Sequence, residues 1–272
     1  GGNGTMWRDI QSDRGTTSGI FGDQGHWSTD LVISEKTPEQ AAGDYLGPSH
    51  NGMGATGWGS FAAGAYNRAS GAGAVAIGFH NVAGPTGPAI SNIPPSTTNL
   101  GGQFAVGYGT QATGHAAFSA GEGTTASGHY STAMGFGTTA DGDYTTALGF
   151  GTTASQNYSV AMGEGTSASG YTSFSIGRLT SASGMRSLAT GEQSTASGLL
   201  STVMGYNTMA SDYASLAIGR FNSASSSATS ANSFDSSAPA FVIGNGLDNS
   251  NRSDAFKVMF NGDATVSNDL TV

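Results

Sequence analysis

Ser131-Thr132-Ala133-Met134-Gly135-Phe136-Gly137-Thr138-Thr139-Ala140-Asp141-Gly142 is one unit of a pattern that runs from Phe104 to Asn222. With Gly135 as reference, glycine recurs every fourteen residues, at Gly107, Gly121, Gly135, Gly149, Gly163, Gly177, Gly191, Gly205 and Gly219. Five residues after each stands an alanine, from Ala112 to Ala224. Two offsets held in one register over nine units exclude an accident of composition. A short fixed period means stacked coils, each too small to bury a core alone.

The unit has two halves, and most second halves end in glycine: Gly114, Gly128, Gly142, Gly170, Gly184 and Gly198. Glycine adopts positive φ freely, so both glycine rows are expected to mark tight corners. Between corners only short strands fit, with side chains alternating between faces. Two residues before each reference glycine the side chain is small: Ala105, Ser119, Ala133, Ala147, Ala161, Ser175, Ala189, Val203 and Ala217. This row and the alanine row are expected to face each other inside a thin coil. The flanking positions then point outward. Immediately before the glycine they include Val106, Met134, Leu148, Met162, Ile176, Met204 and Ile218. Two residues earlier they include Phe104, Phe118 and Phe174. The other half points polar residues outward, with Thr125, Thr139 and Thr153 in one row. One wall is apolar and the opposite wall rich in hydroxyls. A contiguous apolar wall is not normally left in water, so self-association along it into a closed cyclic oligomer is expected.

Val160-Ala161-Met162-Gly163, Leu216-Ala217-Ile218-Gly219 and Val75-Ala76-Ile77-Gly78, each followed by a half built on Ser/Thr-x-Ala-x-Gly or close to it, resemble YadA-type head repeats. Such repeats occur in the heads of trimeric autotransporter adhesins and, similarly, in phage-like tail fibres. The resemblance implies a left-handed parallel β-roll and a homotrimer joined through the apolar wall. Periodicity alone gives neither the handedness nor the number three. The expected fold is all-β: an irregular N-terminal cap or tip over 1–58, head repeats over 59–226 with an inserted loop at about 85–103, and a linker and β-rich neck over 227–272.

Composition agrees with a solenoid. The 272 residues hold 44 glycines and only 10% charged residues. Cysteine is absent, which excludes disulfides and thiol chemistry. The net charge is −9, and no basic stripe supports nucleic-acid binding. Gly1-Gly2-Asn3-Gly4 has neither the basic start nor the apolar core of a signal peptide, and no transmembrane run is present. A membrane anchor, if there is one, is expected outside this chain.

Before the repeats, Trp7 and Trp27 are candidates for stacking on sugar rings. The alternative is that residues 1–58 only cover the end of the roll. Asp30-Leu31-Val32-Ile33-Ser34 reads as a strand, and Thr37-Pro38-Glu39-Gln40 as the start of one helical turn. The period is expected to start near Phe61. The reference glycines Gly78 and Gly107 are 29 apart, one coil plus fifteen residues. The surplus contains Pro85, Pro88, Pro94 and Pro95, which cannot donate to a strand ladder. A loop thrown out at a corner is therefore expected. Beyond Asn222 the pattern decays, with Ala238 assigned to the alanine row. Asn261-Gly262 predicts a hairpin turn before Ala264-Thr265-Val266.

Little else carries chemistry. Gly52-Met53-Gly54-Ala55-Thr56-Gly57 matches G-x-G-x-x-G without the strand and helix that nucleotide binding needs. No P-loop, catalytic triad or paired carboxylates are legible, so no catalytic residue, cofactor or metal site is assigned. Asp141 with Asp143, and Asp248 with Asp254, do not fit an EF-hand. His115, His129 and Asp143 occupy one row of adjacent coils and are expected to stack as solvated corner residues. The function expected is a non-catalytic, extracellular adhesin or fibre head at a bacterial surface. Its expected partners are a second and third copy, and a glycan or extracellular protein of a target cell. A phage-like tail-fibre segment and an ice- or surface-binding solenoid are the alternatives.

Overall fold

Five-residue strands ending one residue past each reference glycine alternate with two-residue strands that end on the alanine. Thr132–Phe136 and Thr139–Ala140 make one coil, Thr146–Phe150 and Thr153–Ala154 the next. The computed structural model describes residues 29–32 (backbone only), 54–55, 57, 59–85, 101–223 and 229–267. Long strands form one 15-stranded sheet and short strands one of 11 strands. Pairing is parallel and couples like to like: Ala133 to Ala147, Met134 to Leu148, Gly135 to Gly149. About eleven coils stack this way, a body about 50 Å long at the usual strand spacing. No helix occurs among the described residues.

The interior is thinner in carbon than the alternation suggests. Both small rows are buried: Ala133, Ala140, Ala147 and Ala154 are all at 0% exposure. Two hydroxyl rows join them. Thr124, Thr138, Thr152 and Thr166 follow the reference glycines by three, and Ser131, Thr145, Ser159 and Ser173 by ten. A buried hydroxyl needs a partner; the corner backbone supplies one to some of them, while the hydroxyls of Thr138, Thr152, Thr166, Ser159 and Ser173 have none among the described residues. The Ser131 Oγ donates to the Gly128 carbonyl (2.7 Å), Thr145 Oγ1 to Gly142 (2.6 Å) and Ser187 Oγ to Gly184 (2.7 Å). Each bond closes a turn locally and binds the interior to a corner. At the first coils asparagine takes the threonine place. Asn67 and Asn81 stack through an amide bond of 3.0 Å and donate to the Gly78 and Gly107 carbonyls.

The two glycine rows have different causes. At the reference row φ is positive (123° at Gly149), and a Cβ would lie 2.0 Å from the Gly163 carbonyl oxygen. The second row is corrected by the structure. Gly128 and Gly142 are outside the left-handed region, yet a Cβ on Gly128 would sit 1.9 Å from the Gly142 carbonyl oxygen. They allow coils to approach. The left-handed residue of that corner comes two positions later and is not glycine: Tyr130 (φ 57°), Tyr144 (φ 58°), Tyr158 (φ 62°).

The roll begins before Phe61. Thr29–Val32 lies parallel to Phe61–Ala65, with Val32 opposite Gly64. Gly54–Ala55 lies parallel to Arg68–Ala69, and Ala55, fourteen residues before Ala69, is buried. The two strands are too far apart in sequence for a strict period to show this coil. Trp7, Trp27 and the helical turn expected at Thr37-Pro38 lie outside the described residues. The chain leaves the roll again after Gly84 and re-enters at Gly101, which bridges to Ala72. The Arg68 guanidinium donates to the Pro85 carbonyl at the point of departure (2.7 Å).

At the far end Pro239–Asn245 continues the long-strand sheet, parallel to Leu216–Arg220 with Gly244 opposite Gly219. Ala238, six residues before Gly244, is buried but does not extend the alanine row; the short-strand sheet ends at Met209–Ala210. Asp254–Met259 then pairs antiparallel with Pro239–Asn245, and Ala264–Val266 with Asp254–Met259. The turn at Asn261-Gly262 is the hairpin expected there, with Gly262 at φ 91°. Arg252 ties this segment to the last coils. Its guanidinium donates to the Asn207 carbonyl (3.0 Å) and lies 5.6 Å from the centre of the Phe221 ring.

Candidate functional site

Two outer walls and two corners are open to a partner. The long-strand wall is built by alternation: residues one and three before each reference glycine point away from the interior. Val106, Leu148, Met162 and Ile218 stand there half-buried by their neighbours. Met134 (42%), Ile176, Met204 and Phe174 are exposed. Phe104 and Phe118 stack face to face at 5.3 Å between ring centres. These ten residues thus lie on one face, as a band along the stack.

The residue after each reference glycine has the same parity, so it borders the band. Phe136 and Phe150 stack there at 5.1 Å and 6° between ring planes. Further along, Arg178 bridges Glu164 (3.4 Å) and Glu192 (2.7 Å) on adjacent coils. The Glu192 carboxylate, and then Glu164, push the Arg178 guanidinium further up from its ordinary value. At the opposite border stand Tyr130, Tyr144 and Tyr158, with ring centres 5.0 and 5.1 Å apart and planes 12° and 3° apart. The fourteen-residue recurrence of tyrosine is visible in the sequence, although its place on this border is not. Ring stacking along the ladder occupies the faces of these rings, so they turn their edges outward. A sugar-stacking platform needs free faces, and this ladder is not one.

The short-strand wall carries Thr125, Thr139 and Thr153, half-buried and paired directly across coils. Beside them the Ser127 hydroxyl donates to the Asp141 carboxylate (2.6 Å). The row is broken by exposed Gln111 at one end and Met209 at the other.

The corner row of His115, His129, Asp143 and Asn157 has a backbone role. The His115 N–H donates to His129 Nδ1 (3.1 Å), the His129 N–H to Asp143 Oδ1 (2.9 Å), and the Asp143 N–H to Asn157 Oδ1 (3.0 Å). Each side chain accepts from a backbone donor fourteen residues earlier. No group of three or more metal-ligating side chains occurs among the described residues. Asp248 accepts from the Asn251 side chain and from the Ser250 and Asn251 N–H groups, which hold its carboxyl below the usual range. Asp254 accepts from the Ser223 N–H (2.7 Å), so its carboxylate ties the last strands to the end of the roll, whereas Asp248 closes a turn. Gly54, Ala55 and Gly57 of the glycine-rich motif belong to the roll: Ala55 is in its interior, and a Cβ at Gly57 would meet the Gly71 carbonyl oxygen at 2.0 Å.

No curated protein matches the chain. The family model described as YadA head domain repeat matches residues 55–81, 112–138, 126–152, 140–166, 168–194 and 196–222, together half of the chain. The gap between 81 and 112 holds the excursion after Gly84, where the period is interrupted. Parallel pairing of like with like, the buried alanine rows and the matched segments converge: this chain belongs to the YadA head-repeat family.

Proposed function

We propose that the chain is the head of a trimeric adhesin displayed outside the cell, a non-catalytic rod that presents weak binding surfaces in three copies. The single observation that carries this is the apolar band. It runs along the whole regular stack with large side chains such as Met134 and Phe174 still open in one chain. Monomeric proteins rarely leave such a surface in water. Its straight course along a coil stack suits copies set side by side around one axis. The coarser statement, adhesin-like function, comes with family membership. The finer reading assigns the target: a glycan or extracellular protein of another cell surface, met by the hydroxyl wall around Thr125, Thr139 and Thr153 or by the region of Trp7 and Trp27. Three copies of a weak site act together through effective concentration.

Sedimentation equilibrium tests the assembly. The expected mass is three times the 27.1 kDa chain. Met162→Asp, at the middle of the band, is expected to reduce it to one chain with the β-rich circular dichroism retained. A one-chain mass for the unaltered protein overturns the reading. Binding to glycan arrays and immobilised matrix proteins tests the target, with loss expected for Thr139→Ala or for Trp27→Ala. Retained binding in both variants overturns the assigned surfaces.

A further inference from the structure

We infer that the two borders of the apolar band are the mated halves of one seam, each copy presenting its tyrosine border to the phenylalanine and acidic border of the next. This rests on the trimeric reading above. It adds which residues meet and at which height.

Chain order and exposure place the borders. The left-handed corner residue is five before the reference glycine, and the other border residue is one after it. They flank the long strand at its two ends, and Tyr130, Tyr144, Phe136 and Phe150 are all exposed there. A closed ring about an axis parallel to the stack leaves every coil at its own height. It brings the leading border of one copy against the trailing border of its neighbour. Each coil therefore meets its own number.

At four heights the borders complement each other. Tyr130 is level with Phe136, and Tyr144 with Phe150; all four are among the exposed large side chains, with Tyr144 at 51% and Phe150 at 58%. Lower on the stack Arg186 is level with Glu192. The Arg186 guanidinium has no side-chain partner among the described residues, while Glu192 gives one oxygen to Arg178 at 2.7 Å. Leu200 is level with Tyr206, both exposed. Arg186 is the one charged residue of its border in the regular stack, and it is level with an acid; Glu122, Arg178 and Arg220 of the other border are level with Ala116, Thr172 and Ala214. The stacked ladders are also pre-ordered, since neighbouring rings already hold each other at about 5 Å. Less rotamer entropy is then lost on docking.

An isologous seam would read differently. It would set like border against like border in reverse order, and Arg186 would meet no acid.

The chain has no cysteine, so engineered pairs report cleanly. In Tyr144→Cys/Phe150→Cys the two positions are roughly 15–20 Å apart within one strand. That is beyond the ~7 Å reach of a disulfide, so only neighbours can join. Oxidation of the double variant is expected to give covalent dimers and trimers on a non-reducing gel, with each single variant remaining one chain. Arg186→Cys/Glu192→Cys repeats the test at exposed positions that disturb no stacked ring. Cross-linking by the single variants overturns the seam in favour of an isologous one. No cross-link in either double variant, with sedimentation still giving three chains, overturns the seam and leaves the trimer. A one-chain mass for the unaltered protein removes the trimer, and the seam with it.

Discussion

Each coil turns twice through the left-handed region, and in the coils of Gly135, Gly149 and Gly163 the two corners solve the same problem with different residues; later coils use Leu179, Gln193 and Asn207 after the long strand and Thr172, Arg186 and Leu200 before it. After the long strand the turn is taken by Gly109, Gly123 and Gly137, with φ near 60° and no atom within 4 Å of a built Cβ. Before the long strand it is taken by Tyr130, Tyr144 and Tyr158 at the same φ. Left-handed backbone costs a non-glycine residue about 1–2 kcal/mol. At the second corner ring stacking offsets it, at about 0.5–1.5 kcal/mol per contact. Glycine at that corner appears two residues earlier, where the next coil's backbone leaves no room for a Cβ. The contrast separates two reasons for glycine that look alike in a sequence: a dihedral angle and a distance.

The comparison breaks or sharpens by substitution. Gly149→Ala meets both constraints at once, a φ of 123° and a carbonyl oxygen 2.0 Å from the new Cβ. It is expected to cost about 4 kcal/mol or more, read as the largest loss in urea midpoint of any single glycine variant. Gly142→Ala meets distance alone, 2.5 Å from the Gln156 carbonyl carbon, and Gly137→Ala dihedral alone, at φ 58°. The first is expected to cost about 2–3 kcal/mol and the second about 1 kcal/mol. Equal midpoints for the pair would remove the distinction between the rows.

At the tyrosine corner, Tyr144→Gly relieves the dihedral yet loses two stacked neighbours. A net loss of about 1 kcal/mol is expected. Thr172 takes the same corner at φ 57°, with a β-branched side chain. Thr172→Asn is expected to stabilise by about 0.5 kcal/mol, because asparagine tolerates this region. A melting temperature that rises for Tyr144→Gly and falls for Thr172→Asn would show that stacking does not hold the corner.

The smallest effect concerns a turn held by charge. Asp248 has a carboxyl held below its ordinary value, first by the Asn251 amide and then by the Ser250 and Asn251 backbone. A depressed folded value gives stability that is present above the unfolded value, about 3.9, and lost as pH falls through the folded one. Hydrogen exchange at Ser250 and Asn251 is expected to quicken below about pH 4. The Arg186 corner, closed by backbone bonds and by the Ser187 hydroxyl, should not change over that range.

The stack was legible because a coil repeats its residues as well as its shape: the glycine and alanine rows give strands, register and the outward direction of Met134 or Leu148 together. Three features were not legible, each for a physical reason. The buried places of Ser131 and Thr138 were not assigned by residue type; the Gly128 carbonyl receives the Ser131 hydroxyl within its own turn. Tyr144 at positive φ goes against its residue type, and only the ladder explains it. The strand at Thr29–Val32 was read from its own residues, from Asp30 on, but its place in the roll was not, because its distance from Gly54–Ala55 keeps no fixed spacing. The same holds at Gly244, 25 residues after its partner Gly219. Of the candidate surfaces, the band follows from alternation, whereas its borders required knowing which corner precedes which strand.

The chain leaves after Gly84 and returns at Gly101, and the sheets do not register the absence: Ala83 still pairs with Ala112 and Val75 with Phe104. The roll therefore behaves as a ruler whose graduations are about 4.8 Å apart. A corner can carry an added segment of any length at a height set only by counting coils. Inserting or deleting fourteen residues moves that segment by one graduation and leaves every remaining contact as it was. Removing thirteen would set a reference glycine against the large residue of the apolar row at the cut, as Gly135 against Met162. Reach from a surface is thus stored in this molecule as an integer.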